Sequence, residues 1–240
     1  LLGVIGGLLH AGIGLFIYLY ATTDIPQPEK VAIAEKTNIY YSDGTTPIGS
    51  ISSQNREIID CSVLPEYVGN AIVASEDRSF HTNKGIDIMG MARALYNNLT
   101  TGSRQGGSTI TQQYAERYYL GETTSYAGKI REAILAMKIA NSQDKDEVLC
   151  NYMNTSYLGR GAYGIQAAAQ AYFGKDAKDL TVSEAAMIAG IIPAPSSWDP
   201  QENPEQAKKR FARVIRIRKE AGYSTAAAAA DAQVPQVTAS

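Results

Sequence analysis

Apolar and polar positions change their spacing several times along this chain, and each change marks a boundary. Leu1 to Tyr20 is a nearly unbroken apolar run without a charged side chain. That is the length a helix needs to cross a bilayer, so residues 1–22 are expected to form a transmembrane anchor. Tyr18 and Tyr20 would sit at an interface, and Gly12 and Gly14 are tolerated in membrane helices; His10 is accommodated within the helix. The alternative is a signal peptide, but the apolar core is long for one and no small-x-small cleavage site follows it. Residues 23–37 carry Pro26 and Pro28 and read as a linker leaving the membrane. Asn38 to Ile59 is rich in β-branched and aromatic residues around Asp43-Gly44, the signature of a small β-hairpin.

From Pro65 onward the spacing becomes helical. Val68 to Ser75 begins a helix, and Ile86 to Leu99 forms another with Ile88, Met91, Ala92 and Leu95 on one face. Gly102 to Gly107 is a glycine-rich loop. Thr109 to Tyr119, Tyr126 to Asn141 and Lys145 to Asn154 are predicted helices. Small apolar residues from Ile165 to Phe173 imply close helix packing. Thr181 and Glu184 form a capping-box pattern for the next helix, which stops before Pro193 and Pro195. A basic helix runs from Pro204 to Gly222. Residues 223–240 are rich in Ala with Pro and Ser, and read as a flexible tail or the start of a linker to a further domain. The pattern therefore predicts a mainly α domain over residues 38–222.

Composition narrows the function. With 240 residues and 45% apolar content, there is enough for one sizeable core plus an anchor. The formal charge of −2 gives no reason to expect a nucleic-acid partner. The two cysteines, Cys61 and Cys150, sit in no metal-ligand spacing, and His10 and His81 are far apart, so no metal site is signalled. A disulfide between the cysteines is left open by sequence.

Three stretches carry candidate chemistry. Glu76 and Asp77 follow the apolar helical segment Ala71-Ile72-Val73-Ala74. An acid at the end of a buried segment loses water and is suited to taking a proton, although a solvated helix end would look the same. Glu132 shares a helix face with Lys129, three residues earlier, beside the apolar stripe of Ile130, Ile134 and Met137 that faces a core. That places Glu132 at the rim of buried surface. Two such acids suit sugar transfer, whereas Lys129–Glu132 alone would be an ordinary surface ion pair. The third stretch is Gly106-Gly107-Ser108-Thr109-Ile110-Thr111-Gln112-Gln113. Glycines and hydroxyls at a helix start offer N–H groups to an anion, and paired glutamines suit sugar hydroxyls or phosphate oxygens. It is not a Walker loop, and a plain helix cap would not account for both glutamines.

Taken in order, these segments resemble the peptidoglycan glycosyltransferase family, the polymerising module of class A penicillin-binding proteins. Glu76-Asp77-Arg78-Ser79-Phe80 through Gly85-Ile86-Asp87 is similar to the first family motif, and Gly106 to Gln113 to the second. Lys129-x-x-Glu132 is similar to the third. Lys145 through Tyr152-x-Asn154, continuing from Gly159 to Lys175, is similar to the fourth, and Leu180 to Pro200 to the fifth. The resemblance covers about Asn38 to Gly222. It implies a lysozyme-like fold with a mobile, membrane-associated subdomain and an extracytoplasmic catalytic domain on a single-pass anchor. The implied substrate is lipid II, a disaccharide-peptide on undecaprenyl pyrophosphate, which extends a nascent glycan strand. By resemblance Glu76 is the base that deprotonates the acceptor 4-hydroxyl, and configuration inverts as the lipid pyrophosphate leaves. Glu132 assists near that pyrophosphate, and Asp77 supports Glu76. Ser108, Thr109, Gln112, Gln113 and Lys129 hold sugars and phosphates, with Phe80 and Asn154 also placed at the substrate. No cofactor is required, though a divalent cation, magnesium or manganese, has room near the pyrophosphate. Membrane lipids, and a C-terminal transpeptidase domain with other wall-synthesis proteins, are the implied partners.

The chain departs from the family pattern at named positions. Asn83 stands where the family has His, Glu116-Arg117 where it has Lys-Asn, and Thr124 and Gly128 where basic residues are usual. A pyrophosphate needs cationic partners, so Arg104, Arg117 and Lys129 are expected to share that task. Two other readings remain: a lysozyme-like wall hydrolase, and a membrane scaffold without catalysis.

Overall fold

A computed structural model describes residues 2–25, 37–40, 42, 47–51, 55–102, 106–120 and 125–239. Helix α1 spans Leu2–Thr22, and strands β1 (Thr37–Tyr40), β2 (Pro47–Ile51) and β3 (Asn55–Arg56) follow. Then come α2 (Glu66–Glu76), α3 (Ile88–Thr101), α4 (Ile110–Tyr114), α5 (Tyr126–Ser142) and α6 (Lys145–Thr155). Strand β4 (Ala162–Tyr163), α7 (Ile165–Phe173), α8 (Val182–Ile191), α9 (Pro204–Glu220) and α10 (Ala226–Ala230) complete the order. The expected mainly α class holds. The chain divides into two compact units, one of residues Leu1–Val31 with Asn83–Asp144, the other of Ala32–Thr82 with Lys145–Ser240.

In the first unit α1 meets α5, and α4 runs into a π turn, Ala115–Leu120, that packs on α5 as well. α3 starts where the Asp87 side chain accepts from Gly90 N at 2.8 Å and ends at left-handed Gly102, a common helix stop. Its apolar face differs from expectation. Ala94 alone among the described α3 residues is buried, while Ile88, Leu95 and Leu99 are exposed. The spacing was amphipathic, but nothing described covers the stripe. A helix forms where an anchor was expected. Among the described residues no helix is long and apolar enough to cross a membrane; the side chains of residues 2, 4, 5, 8 and 9 lie outside that set.

In the second unit α8 is the central element. Every residue from Ala185 to Ile191 is buried, as expected of a helix that is apolar all round, and it packs against α2 and α9. The Thr181–Glu184 capping box expected from sequence is present, with Thr181 N donating to Glu184 at 2.7 Å. β1 and β2 pair antiparallel, with Thr37 opposite Ile51; the Asp43-Gly44 turn lies outside the described residues. β3 pairs in parallel with β4, a contact too short to announce itself in sequence. Cys61 and Cys150 form a disulfide, which settles the alternative left open.

The segment 223–240 contains more structure than a loose tail. After α10, Thr238 N donates to Tyr172 O at 2.8 Å and Thr238 Oγ1 to Ala171 O at 2.9 Å. Arg160 holds its carbonyl from the other side, Nη1 donating at 2.8 Å. Arg160 adopts φ 50°, unusual for a residue with a side chain. Its guanidinium also makes a two-point bond to Asp199, at 2.7 and 3.0 Å. Low-complexity composition concealed this docking because most of it is made by backbone groups.

Candidate active site

In the second unit α2 buries Val68, Ala71, Ile72, Val73 and Ala74, and this apolar face fixes where its C-terminus points. Glu76 is the last helical residue, half-buried, and Ser75 Oγ donates to its Oε1 at 2.9 Å. Asp77 caps the helix, its N–H bonding to Val73 O at 3.0 Å. The Asp77 carboxylate is buried and accepts from Ser79 N at 3.1 Å and Ser79 Oγ at 2.9 Å. It therefore shapes the turn after Glu76. α9 lies against α2 and brings Arg210 and Arg213, whose charges Glu76 offsets. Burial, reinforced by neighbouring guanidinium groups, pushes both arginines below their ordinary value. Arg210 is fixed by Nε donating to Gly190 O at 2.8 Å and by stacking 4.6 Å from the Trp198 ring. Sequence reading assigned this basic helix to solvent or lipid and missed its inner side, although the buried spacing Ala207, Phe211, Val214 already implied one.

Two expected substrate contacts are buried. Phe80 is fully buried, with the Lys145 ammonium 4.6 Å from its ring, and packs in the core. Burial lowers the pKa of Lys145, and the Asp77 charge partly offsets this. Asn154 is also buried, and its amide is used structurally. Oδ1 accepts from Ile59 N at 3.1 Å, while Nδ2 donates to Ile59 O at 2.9 Å and to Cys150 Sγ at 3.4 Å. It staples the segment before α2 beside the disulfide.

In the first unit Gly85 is the junction. Its φ is 91°, a backbone conformation glycine adopts without penalty, and an added Cβ would overlap the Ala136 carbonyl of α5. Its own carbonyl accepts from Thr109 Oγ1 at 2.6 Å. Thr109 caps α4 by accepting from Gln112 N at 3.1 Å, and Gln112 Oε1 returns the bond from Thr109 N at 3.0 Å. Thr109 and Gln112 are thus a reciprocal helix cap, buried at 2% and 4% exposure. Ser108 and Gln113 stay half-buried and Arg117 exposed, positions from which a ligand can be reached. Arg104 lies outside the described residues.

Lys129 and Glu132 meet as the spacing predicts. Lys129 Nζ donates to Glu132 Oε2 at 2.6 Å. Glu132 is not at a rim but fully buried, because α5 turns Ile134, Leu135 and Ala136 inward beside it while Ile130 remains exposed. The same ammonium donates to Glu116 Oε1 at 3.1 Å, a partner sequence reading did not assign. Burial opposes the Lys129 charge, but hydrogen bonds to Glu132 and Glu116 outweigh it and raise the pKa. Among the described residues no cluster of three or more His, Cys, Asp or Glu is arranged for a metal ion. The acids Glu76 and Glu132 belong to different units.

Residues 44–219 match the family model described as Transglycosylase, and the chain belongs to that family. It is similar to penicillin-binding protein 1A of Neisseria flavescens, with 40% identity over 93% of this chain and 29% of that one. The same protein of Neisseria lactamica is 47% identical over 72% of this chain and 22% of its own, and that of Mycobacterium tuberculosis 40% over 82% and 24%. The fold resembles the crystal structure of penicillin-binding protein 1A from Haemophilus influenzae, with TM-score 0.50 and 24% identity over 88% of this chain and 22% of that one. The chain spans between 22 and 29% of the length of these relatives.

Proposed function

We propose that this chain polymerises lipid II into β-1,4-linked glycan strands by inverting transfer, releasing undecaprenyl pyrophosphate. The observation that carries the reading is Glu76, half-buried at the end of a buried helix within the matched span. Glu76 takes the proton from the acceptor 4-hydroxyl, and the freed oxygen attacks the donor anomeric carbon from the face opposite the leaving group. Ser75 and the Asp77 turn fix the direction of its carboxylate. The leaving pyrophosphate is met by Lys129, with Ser108, Gln113 and Arg117 in reach of the substrate. A divalent ion would arrive with the substrate rather than reside in the protein, because the Lys129 ammonium already lies between the Glu116 and Glu132 carboxylates.

Membrane attachment belongs to the same proposal. α1 has 21 residues and no charged side chain, so it extends about 30 Å, close to the hydrocarbon thickness. Its end is fastened to α5, since Lys138 Nζ donates to Thr23 O at 2.5 Å and Asn141 Nδ2 to Tyr20 OH at 3.1 Å. The exposed apolar stripe of α3 in the same unit suits a lipid surface. We infer a single-pass membrane protein with an extracytoplasmic domain, followed by a transpeptidase domain as the names and lengths of its relatives suggest. The test is glycan polymerisation from purified lipid II by wild type and Glu76→Gln, with mature wall as a second substrate. Polymer from wild type only supports the reading. Fragment release from wall, or polymer from Glu76→Gln, overturns it.

A further inference from the structure

Glu116 sits on the π turn that follows α4, and such turns concentrate at functional sites. Its carboxylate reaches the ammonium of Lys129, 13 residues later, at 3.1 Å. Lys129 has three N–H donors. One is taken by Glu132 at 2.6 Å and one by Glu116; the third meets no described acceptor. The two carboxylates are not equivalent. Glu132 is 0% exposed, so it depends on Lys129 to offset a buried charge, whereas the Glu116 side chain is 20% exposed and that of Lys129 47%. Of the two ion pairs, the one to Glu116 is therefore the more accessible to water and ligand.

The Lys129 ammonium is shared between two carboxylates. The Lys129–Glu132 pair alone would be neutral and could present an ammonium N–H to a phosphate oxygen. With Glu116 added, a doubly charged pyrophosphate must compete with a carboxylate that already holds one side of the ammonium. We propose that Glu116 is a built-in competitor for Lys129: it occupies the ammonium face that the donor pyrophosphate takes, and so sets the strength of donor binding. This rests on the assignment of Lys129 to the donor pyrophosphate in the proposed reaction. Glu116 touches no reacting atom. It acts through Lys129, exchanging one ion pair for another when substrate arrives.

The proposal fixes a sign. If Glu116 competes, removing its charge tightens donor binding; if it orients Lys129 for the substrate, the same change weakens it. Glu116→Gln keeps the shape and removes the charge, and Glu116→Lys reverses the charge. Steady-state polymerisation of lipid II in detergent gives KM and kcat separately, with thermal melting confirming that each variant folds. Glu116→Gln is expected to lower KM about three- to tenfold with kcat within about twofold, a size typical of a part-exposed ion pair plus relieved repulsion. Glu116→Lys lowers KM further and makes it more salt-dependent, as added cationic contacts to phosphate do. Lys129→Gln raises KM. An unchanged or raised KM in Glu116→Gln, beside a raised KM in Lys129→Gln, overturns the competitor role alone. An unchanged KM in Lys129→Gln removes the donor contact and the proposal with it. Absence of polymer from wild type overturns the underlying reaction.

Discussion

Replacing Cys61 and Cys150 together by serine removes the covalent tie between the segment before α2 and α6, and its effect is calculable from the fold. The bridge closes a loop with a sequence separation of 89. In the chain-entropy account a loop of that length restricts the unfolded ensemble by about 4.6 kcal/mol at 25 °C. For a chain of this size roughly 2–4 °C of melting temperature accompanies each kcal/mol, so the variant should melt about 9–18 °C lower. Local opening adds to this beside the bridge, where Cys61 is tied to Cys150 and Ile59 is held by Asn154, all within the second unit. Hydrogen exchange should therefore rise around residues 59–61, in α6 and at the start of α2, and change little between Asn83 and Asp144. Wild type in reducing buffer should match the variant in both readouts. A melting shift below about 3 °C, or equal loss of protection in the two units, would refute the reasoning.

Two further outcomes follow from single positions. Gly85→Ala forces a side chain into a conformation with φ 91° and against the Ala136 carbonyl; we expect a loss of about 2–4 kcal/mol by denaturant titration, with the first unit opening first in hydrogen exchange. Asp199 is disfavoured as an anion by burial, but the hydrogen bond and charge of Arg160 with the backbone N–H groups of Gln201 and Glu202 together outweigh this and hold its pKa below the ordinary carboxylate value. A depressed folded-state pKa stabilises the fold above about pH 4 and ceases to do so as pH falls through the folded value. Melting temperature measured from pH 7 to pH 3 should drop steeply at the acid end in wild type. Asp199→Asn should melt lower at pH 7 and show a shallower acid decline; an unchanged acid slope would count against this.

How much of the fold was legible depends on which force set each element. α2, α5, α6, α8 and α9 were readable because their apolar spacing reports burial directly, and α8 carried its capping box in four residues. α3 shows the limit of the same signal. Its spacing is amphipathic, yet Ile88, Leu95 and Leu99 are exposed, since periodicity says that a stripe exists and not what covers it. The Arg160 clasp on Thr238 was invisible for a different reason. Its partners are mostly backbone carbonyls, which every sequence has, and the residue that organises them stands in a conformation no pattern predicts.

The site divides along the same line. The order of motifs shared with the family singled out Glu76, Lys129 and Glu132 as candidates, where each alone reads equally as a solvated helix end or a surface ion pair. Type alone could not separate a ligand contact from a structural bond. Thr109, Gln112 and Asn154 have side chains suited to a sugar, but each spends that capacity on its own backbone neighbours, as buried polar groups must. Phe80 is sequestered by the core. Glu116 shows the same limit: sequence gives an acid where the family carries lysine, and its contact with Lys129 depends on the π turn that sets the two together. A charge reversal beside a cation does not merely subtract a contact. Under the proposed competition it converts a ready phosphate ligand into one already engaged, and donor binding then depends on the contacts made elsewhere.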